Sequence, residues 1–214
     1  HPGCLLCRPE PNEPSDAMSL RALFILLYAV TLGGWGVMSA VGLRRGTTET
    51  IFSDQEFTLF APLFYGVPTA LSTVLFSSAG ILALITGALI RQRNIDRALC
   101  RFFTLFGLGL IWLAIDERLA VHERLDYVYG LLGDVLLVAY MLAGFGIIWA
   151  HRSALSRFRN LWGLLIPAAV VGLISMGIDI FYNFPGIRII FEDGAKLVCG
   201  ATLLAFTISA LFQL

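Results

Sequence analysis

The sequence contains a single lysine, three histidines and four cysteines, and Asp, Glu, Lys and Arg together supply only 14 % of its 214 residues. That is too little charge to cover the surface of an ordinary soluble domain, the more so with 57 % hydrophobic residues and a mean hydropathy of +0.80. The cysteines, Cys4 and Cys7 near the start and Cys100 and Cys199 in or beside apolar runs, offer no obvious exported disulfide, which excludes a disulfide-built scaffold. Cys4-x-x-Cys7 has zinc or redox spacing, but only His1 is near enough in sequence to join it. Nothing resembles a cleavable signal peptide, because the first apolar run is of full spanning length. A net charge of zero identifies no partner, and nothing points to nucleic acid.

What the sequence has in abundance is apolar runs, at 19–43, 68–91, 100–119, 128–150, 161–183 and 191–213. Crossing ~30 Å of hydrocarbon takes about 20 helical residues, and in lipid a spanning segment must satisfy its own backbone as a helix or within a closed barrel. The runs are unbroken rather than alternating, so the expected fold class is all-α: a polytopic membrane protein built as a bundle of six transmembrane helices. Residues 18–214 form this transmembrane domain. Residues 1–17 read as a Pro-rich N-terminal tail of disordered composition, with Met18 a natural start ahead of the first run. Arginines gather on the side that shares the N-terminus and eleven of the fifteen acids on the other, which places both termini in the cytoplasm of a bacterial inner (plasma) membrane. Residues 44–68, rich in Phe and acids, read as a lid lying in the interface. The small residues of "GGWGVMSAVG" (33–42) and "GLGL" (107–110) mark places where helices can approach closely.

Against this apolar background stands "LAIDERLAVHERLDY" (113–127), with seven chargeable residues among fifteen. Counting helical rise from the opposite end of each run, Asp116 lies about 22 Å above Arg101, Asp134 about 25 Å above His151, Asp179 about 25 Å above Trp162, and Lys196 about 27 Å above Leu214, with Glu192 one turn higher. Four helices thus bring charge to one level, in the outer part of the hydrocarbon layer. A charge at mid-bilayer costs about 2.5–3.5 kcal/mol, so such residues face the bundle and find partners. Glu192 and Lys196 are one turn apart, as are His122 and Asp126, and Ser175, Asp179 and Asn183 form a polar stripe.

Three readings of this layer stay open: a satisfied charge network, a metal site, and a proton or cation pathway. The stretch matches neither the HExxH pattern of zinc proteases nor the Glu-x-x-His of di-iron bundles. On a continuous helix Asp116 and Glu123 share a face but stand about 10 Å apart, while Glu117 and His122 point elsewhere. One divalent ion would need ligands from several helices. The candidates are Asp116, Glu117, His122, Glu123, Asp134, Asp179, Glu192 and Asp193, an oxygen-rich set suited to Mg, Ca or Mn, or to Zn with one imidazole. His151 reads as an ordinary membrane-edge anchor, with a tetrapyrrole ligand the alternative.

The runs "DERLAVHERL" and "FEDGAKLVCGA" resemble bacterial polytopic membrane proteins of unassigned function that carry an Asp-Glu-x4-His-Glu motif followed by a late acidic pair and a lysine. The resemblance implies that Asp116, Glu117, His122, Glu123, Glu192, Asp193 and Lys196 belong together, and it brings no activity with it. The alkaline-ceramidase type of membrane hydrolase is a further comparison, but its zinc site uses several histidines where this chain offers one within the membrane.

The leading functional expectation is a non-catalytic accessory subunit of a larger membrane complex, contacting membrane lipids and other membrane subunits. The alternatives are a metal-dependent membrane hydrolase or lipid-modifying enzyme, with a metal-bound water near His122 and Glu123 as base, and a proton or cation carrier relaying through Asp134 and Asp179.

Overall fold

A computed structural model describes residues 15–45, 66–156, 159–181 and 185–214. Most of the N-terminal tail and most of the expected interfacial lid lie outside the described residues, as does Asn183. The described chain is helical throughout: α1 (Ser15–Arg45), α2 (Val67–Gln92), α3 (Arg97–Leu119), α4 (Val121–Tyr129), α5 (Leu132–Ala150), α6 (Arg152–Leu155), α7 (Arg159–Phe181) and α8 (Pro185–Phe212). Five of these hold segments long and apolar enough to cross a membrane, namely Val67–Gln92, Arg97–Leu119, Leu132–Ala150, Leu161–Ile180 and Ile190–Phe212. The run expected at 19–43 coincides with α1, a helix of 31 residues whose described apolar stretch, Ala22–Val37, is shorter than a full span.

Local chemistry sets the helix ends. Gly66 adopts a left-handed conformation (φ 62°) just ahead of α2, and Pro68 follows in the first turn, where its missing N–H costs nothing. The tight link from α2 to α3 turns at Asn94 (φ 51°) and closes with Asp96, whose carboxylate accepts from the backbone of Ala98 and Leu99 at 2.7 and 3.3 Å. A connection this short forces α2 and α3 to lie side by side and antiparallel. Their contact is glycine-mediated: a Cβ on Gly80 would sit 2.9 Å from the Gly107 carbonyl oxygen, and one on Gly107 would sit 2.8 Å from that of Gly80. Backbone meets backbone there, as small residues allow between membrane helices.

The "GGWGVMSAVG" run behaves differently. Hypothetical Cβ atoms on Gly33, Gly34 and Gly36 would meet nothing. The close approach of α1 depends instead on Gly194 of α8, whose missing Cβ makes room for the Trp35 indole, which donates to the Ile190 carbonyl at 3.0 Å. Tyr28 adds a hydrogen bond to Thr202 at 2.8 Å.

Helix α8 is the central staff, packed against α1, α2 and α7. At the end opposite the acids, Phe102, Phe103, Phe106 and Phe206 interlock with ring centroids 5.1–6.3 Å apart. Helix α5 is the outlier: Gly133 and Leu137 are its buried residues, whereas most of α8 is buried, so it leans on the bundle rather than entering it.

Candidate functional site

The site begins with a break in helical handedness. Ala120 takes a left-handed conformation (φ 49°, ψ 47°), unusual for a residue with a Cβ, and it ends α3 one residue before α4 begins. The sequence reading carried the helical run past this point; the break replaces that geometry. Chain direction changes, and His122 folds back over the end of α3. The Asp116 carboxylate accepts the His122 backbone N–H at 3.1 Å and the His122 Nδ1 proton at 2.6 Å. Both side chains are buried. Asp116 thereby caps α4 and offsets the local strain, which for a non-glycine residue in this region is about 1–3 kcal/mol.

With Nδ1 committed, the other ring nitrogen faces Asp179 on α7, Nε2 to Oδ2 3.8 Å. The neighbouring acid turns the other way, as adjacent helical positions must. Glu117 lies 3.3 Å from Lys196 Nζ and accepts from Ser72 Oγ of α2 at 3.0 Å. Lys196 also reaches Glu192 on its own helix at 2.8 Å, so one ammonium ties α3 to α8. Ser175 of α7 donates to the Glu192 carbonyl at 3.3 Å. Asp193 is buried beside this pair, and its charge acts on Lys196. Asp116 and Glu117 of α3, His122 of α4, Asp179 of α7, and Glu192, Asp193 and Lys196 of α8 thus meet at one end of the bundle.

Of the eight residues singled out in sequence, Asp116, Glu117, His122, Asp179, Glu192 and Asp193 come together here. Asp134 does not join them: it is half-buried in the first turn of α5 and is absent from the described residues around the cavity below. The Glu123 side chain lies outside the described residues, as does that of Asp126. Among the described residues no three of His, Cys, Asp or Glu converge in the manner of a metal-ligand set. Two participants were not anticipated. Ser72 is one small hydroxyl in an apolar run; Tyr140 sits amid "LLVAYML", where an aromatic residue signals nothing but packing. The buried Tyr140 hydroxyl faces Asp116 and the Trp112 indole, yet closes no well-formed hydrogen bond among the described residues.

Beneath this layer runs a cavity of about 410 Å³, bounded by α2, α3, α5, α7 and α8 and by His122 of α4. Asp116, Glu117, His122, Tyr140, Asp179 and Lys196 line one end, and apolar residues such as Phe76, Phe106, Leu165 and Leu203 line the rest. From Asp179 to Leu165 along α7 it extends about 21 Å. Its walls change from closed to open across the molecule. Leu165 and Ala168 are buried, whereas Leu142 and Phe145 of α5 and Leu173 of α7 are 62, 63 and 49 % exposed. The cavity therefore opens sideways, between α5 and α7, at the level of the spanning segments.

His122 stands in the short α4, outside the spanning segments, and its ionisation is shifted. Burial, the strongest single influence, pulls the pKa down. The hydrogen bond and charge of Asp116, with the charge of Asp179, outweigh both burial and the opposing charge of Lys196, and hold it above the usual 6.5. A folded-state pKa above the unfolded one gives stability that is fully present below the unfolded value and lost as pH rises through the folded value. The thermal unfolding midpoint in detergent should accordingly fall as pH climbs from about 6 past neutrality. In His122→Gln this slope should disappear; equal slopes in the two proteins would remove His122 as its source.

This fold and site define an all-helical, multi-pass membrane protein with a buried ionisable layer closing one end of an apolar, laterally open cavity. Residues 20–210 match the family model described as a domain of unknown function (DUF8692), and the chain belongs to that family. No curated protein and no solved structure matches it.

Proposed function

We propose that this protein takes a single-chain amphiphile from the bilayer into its lateral cavity, laying the tail along α5, α7 and α8 and presenting the polar end to the His122–Asp116 pair. The observation that carries this is the cavity itself: polar at one end only, apolar over the rest of its length, and open where lipid would be. At about 410 Å³ it falls within the usual range of small-molecule sites, ~300–1,000 Å³. In this reading α1 supplies a sixth span, both termini are cytoplasmic in a bacterial inner membrane, and the ionisable layer lies below the opposite face.

The competing expectations draw less from the site. An accessory-subunit role makes no use of the cavity, and most of the N-terminal tail lies outside the described residues. A carrier relaying through Asp134 and Asp179 would bring both to one path, and only Asp179 lines the cavity. A lipid-modifying role is compatible with amphiphile binding, since His122 would then stand at the head of the bound molecule.

The test is photo-crosslinking in nanodiscs with a long-chain alcohol carrying a diazirine in its tail. Peptides from the facing sides of α5 and α7 should carry the label. Gly144 lines the cavity and has open space where a side chain would begin, so Gly144→Phe should cut that labelling about tenfold, equivalent to ~1.4 kcal/mol of binding. Label spread evenly over lipid-facing helices, and indifferent to Gly144→Phe, would refute the proposal.

A further inference from the structure

At the end of the bundle opposite the ionisable layer, the described charge is almost all of one sign. Arg91 lies in the last turn of α2, Arg93 follows that helix, Arg97 and Arg101 stand in the first turns of α3, and Arg152 opens α6. All are exposed. Asp96, the acid whose side chain is described there, is occupied in capping α3 through the amides of Ala98 and Leu99. The cluster stands where the segments Val67–Gln92, Arg97–Leu119 and Leu132–Ala150 end, at the level where a bilayer carries its headgroups.

Arginines at that level bias topology whichever way they face. What sets these apart is the surface that continues from them. Arg97 and Arg101 head a stripe along α3 that runs on through Leu105, Leu108 and Trp112, in steps of four, four, three and four residues, so a single helix face passes from charge to hydrocarbon. The apolar members of the stripe are all exposed. Helix α5 repeats the plan: Leu142, Phe145 and Trp149 are exposed in succession, and the Arg152 guanidinium lies 4.4 Å from the centre of the Trp149 ring while donating to the Trp149 carbonyl at 3.1 Å. A guanidinium fixed in that way keeps further N–H groups for the oxygens of an anion. The two arginine-tipped helices meet at this end, because Phe102, next to Arg101, touches His151, next to Arg152, with ring centroids 6.0 Å apart.

We infer that this end of the protein binds an anionic phospholipid, its phosphate held by Arg97, Arg101 and Arg152 and its acyl chains laid along the exposed stripes of α3 and α5. Positive charge alone would suit any polyanion. The apolar stripes that continue from the arginines favour a lipid over a soluble acidic partner, because only a lipid fills both. The site lies away from the polar end of the lateral cavity and asks nothing of that cavity's occupant.

The test is native mass spectrometry of the delipidated protein in detergent, titrated with dioleoylphosphatidylglycerol or with dioleoylphosphatidylcholine. The tails are identical, so any preference reports the head. Phosphatidylglycerol should bind about tenfold tighter. Arg97→Gln, Arg101→Gln and Arg152→Gln should each weaken it about fivefold, ~1 kcal/mol, and leave phosphatidylcholine binding unchanged, which also shows that the fold is intact. Arg118→Gln with Arg124→Gln removes two exposed arginines near the ionisable layer and should alter neither lipid. Inorganic phosphate and polyglutamate, which lack chains, should compete only weakly. Equal affinity for the two lipids would overturn the proposal, as would an equal loss in the Arg118/Arg124 control, since net charge would then explain everything. Displacement of phosphatidylglycerol by phosphate or polyglutamate at comparable concentration would also overturn it, pointing to a free-anion site in the first case and an acidic protein partner in the second.

Discussion

Asp116→Ala should lower the thermal unfolding midpoint in detergent by roughly 10 °C, taking about 3–5 kcal/mol for the loss of one partner of a buried ionic pair and ~2–4 °C per kcal/mol for a chain of this size. The size of the effect follows from how many things one carboxylate does. It holds the His122 backbone N–H and Nδ1 together, at 3.1 and 2.6 Å, and so fixes both the start of α4 and the orientation of the ring. Without it the left-handed turn at Ala120 loses its compensation, and a buried imidazole loses the partner that sets its tautomer. Asp116→Asn sharpens the test. Its amide can still accept the backbone N–H but offers no charge to the imidazole, so it should recover part of the midpoint and none of the pH slope above neutrality. If Asp116→Ala unfolds like the unaltered protein, the carboxylate is a bystander, and the turn at Ala120 is held by packing alone.

The sequence made the common depth of Asp116, Asp179, Glu192 and Lys196 legible, because a helix rises by the same increment per residue whatever it is made of. A ruler of that kind needs only the ends of each apolar run, and composition marks those well. It works less well where a charge sits near a helix end. Asp134 is two residues from the start of α5, so its depth depended on an assumed boundary, and it stands apart from the cavity.

The ruler also fails where the helix does not continue. On an unbroken helix six residues separate Asp116 from His122 and turn them to different faces. A left-handed alanine brings them to 2.6 Å. Glycine or asparagine at position 120 would have advertised such a turn; alanine, the best helix former, argued for continuation. The pairing of Glu192 with Lys196 was readable because it lies within one helix, at a spacing where side chains meet.

The same distinction governs the small residues. Gly107 in "GLGL" does meet a neighbouring backbone, yet the glycines of "GGWG" do not, although their run looks the more permissive of the two. Which glycine is used depends on the surface opposite. For α1 that surface is Gly194 of α8, which receives Trp35 from a position about 160 residues earlier in the chain. Pairings across the bundle, such as Ser72 with Glu117, carry no local signature for the same reason.

Lys196→Met should cost at least as much stability as Asp116→Ala, because the lysine is the sole one in the chain and its ammonium is shared between Glu117 of α3 and Glu192 of α8. Methionine keeps the length and the apolar stem, so packing along α8 is preserved and the loss isolates the charge. What remains is a layer of largely buried carboxylates deprived of their common cation, where breaking such a pair costs about 3–5 kcal/mol. The effect should be partly relieved by neutralising either acid. Lys196→Met combined with Glu117→Gln, and separately with Glu192→Gln, should each show coupling of about 0.5–3 kcal/mol in a double-mutant cycle read from unfolding midpoints. Coupling to Glu192 alone would make the lysine an intrahelical partner of α8. Coupling to both would make it the tie between α3 and α8, and then Lys196→Met should also loosen the polar end of the cavity, seen as weaker localisation of the crosslinker on α7. Additive effects in both cycles would mean that the ammonium serves neither acid, and the ionic layer would lose its central member.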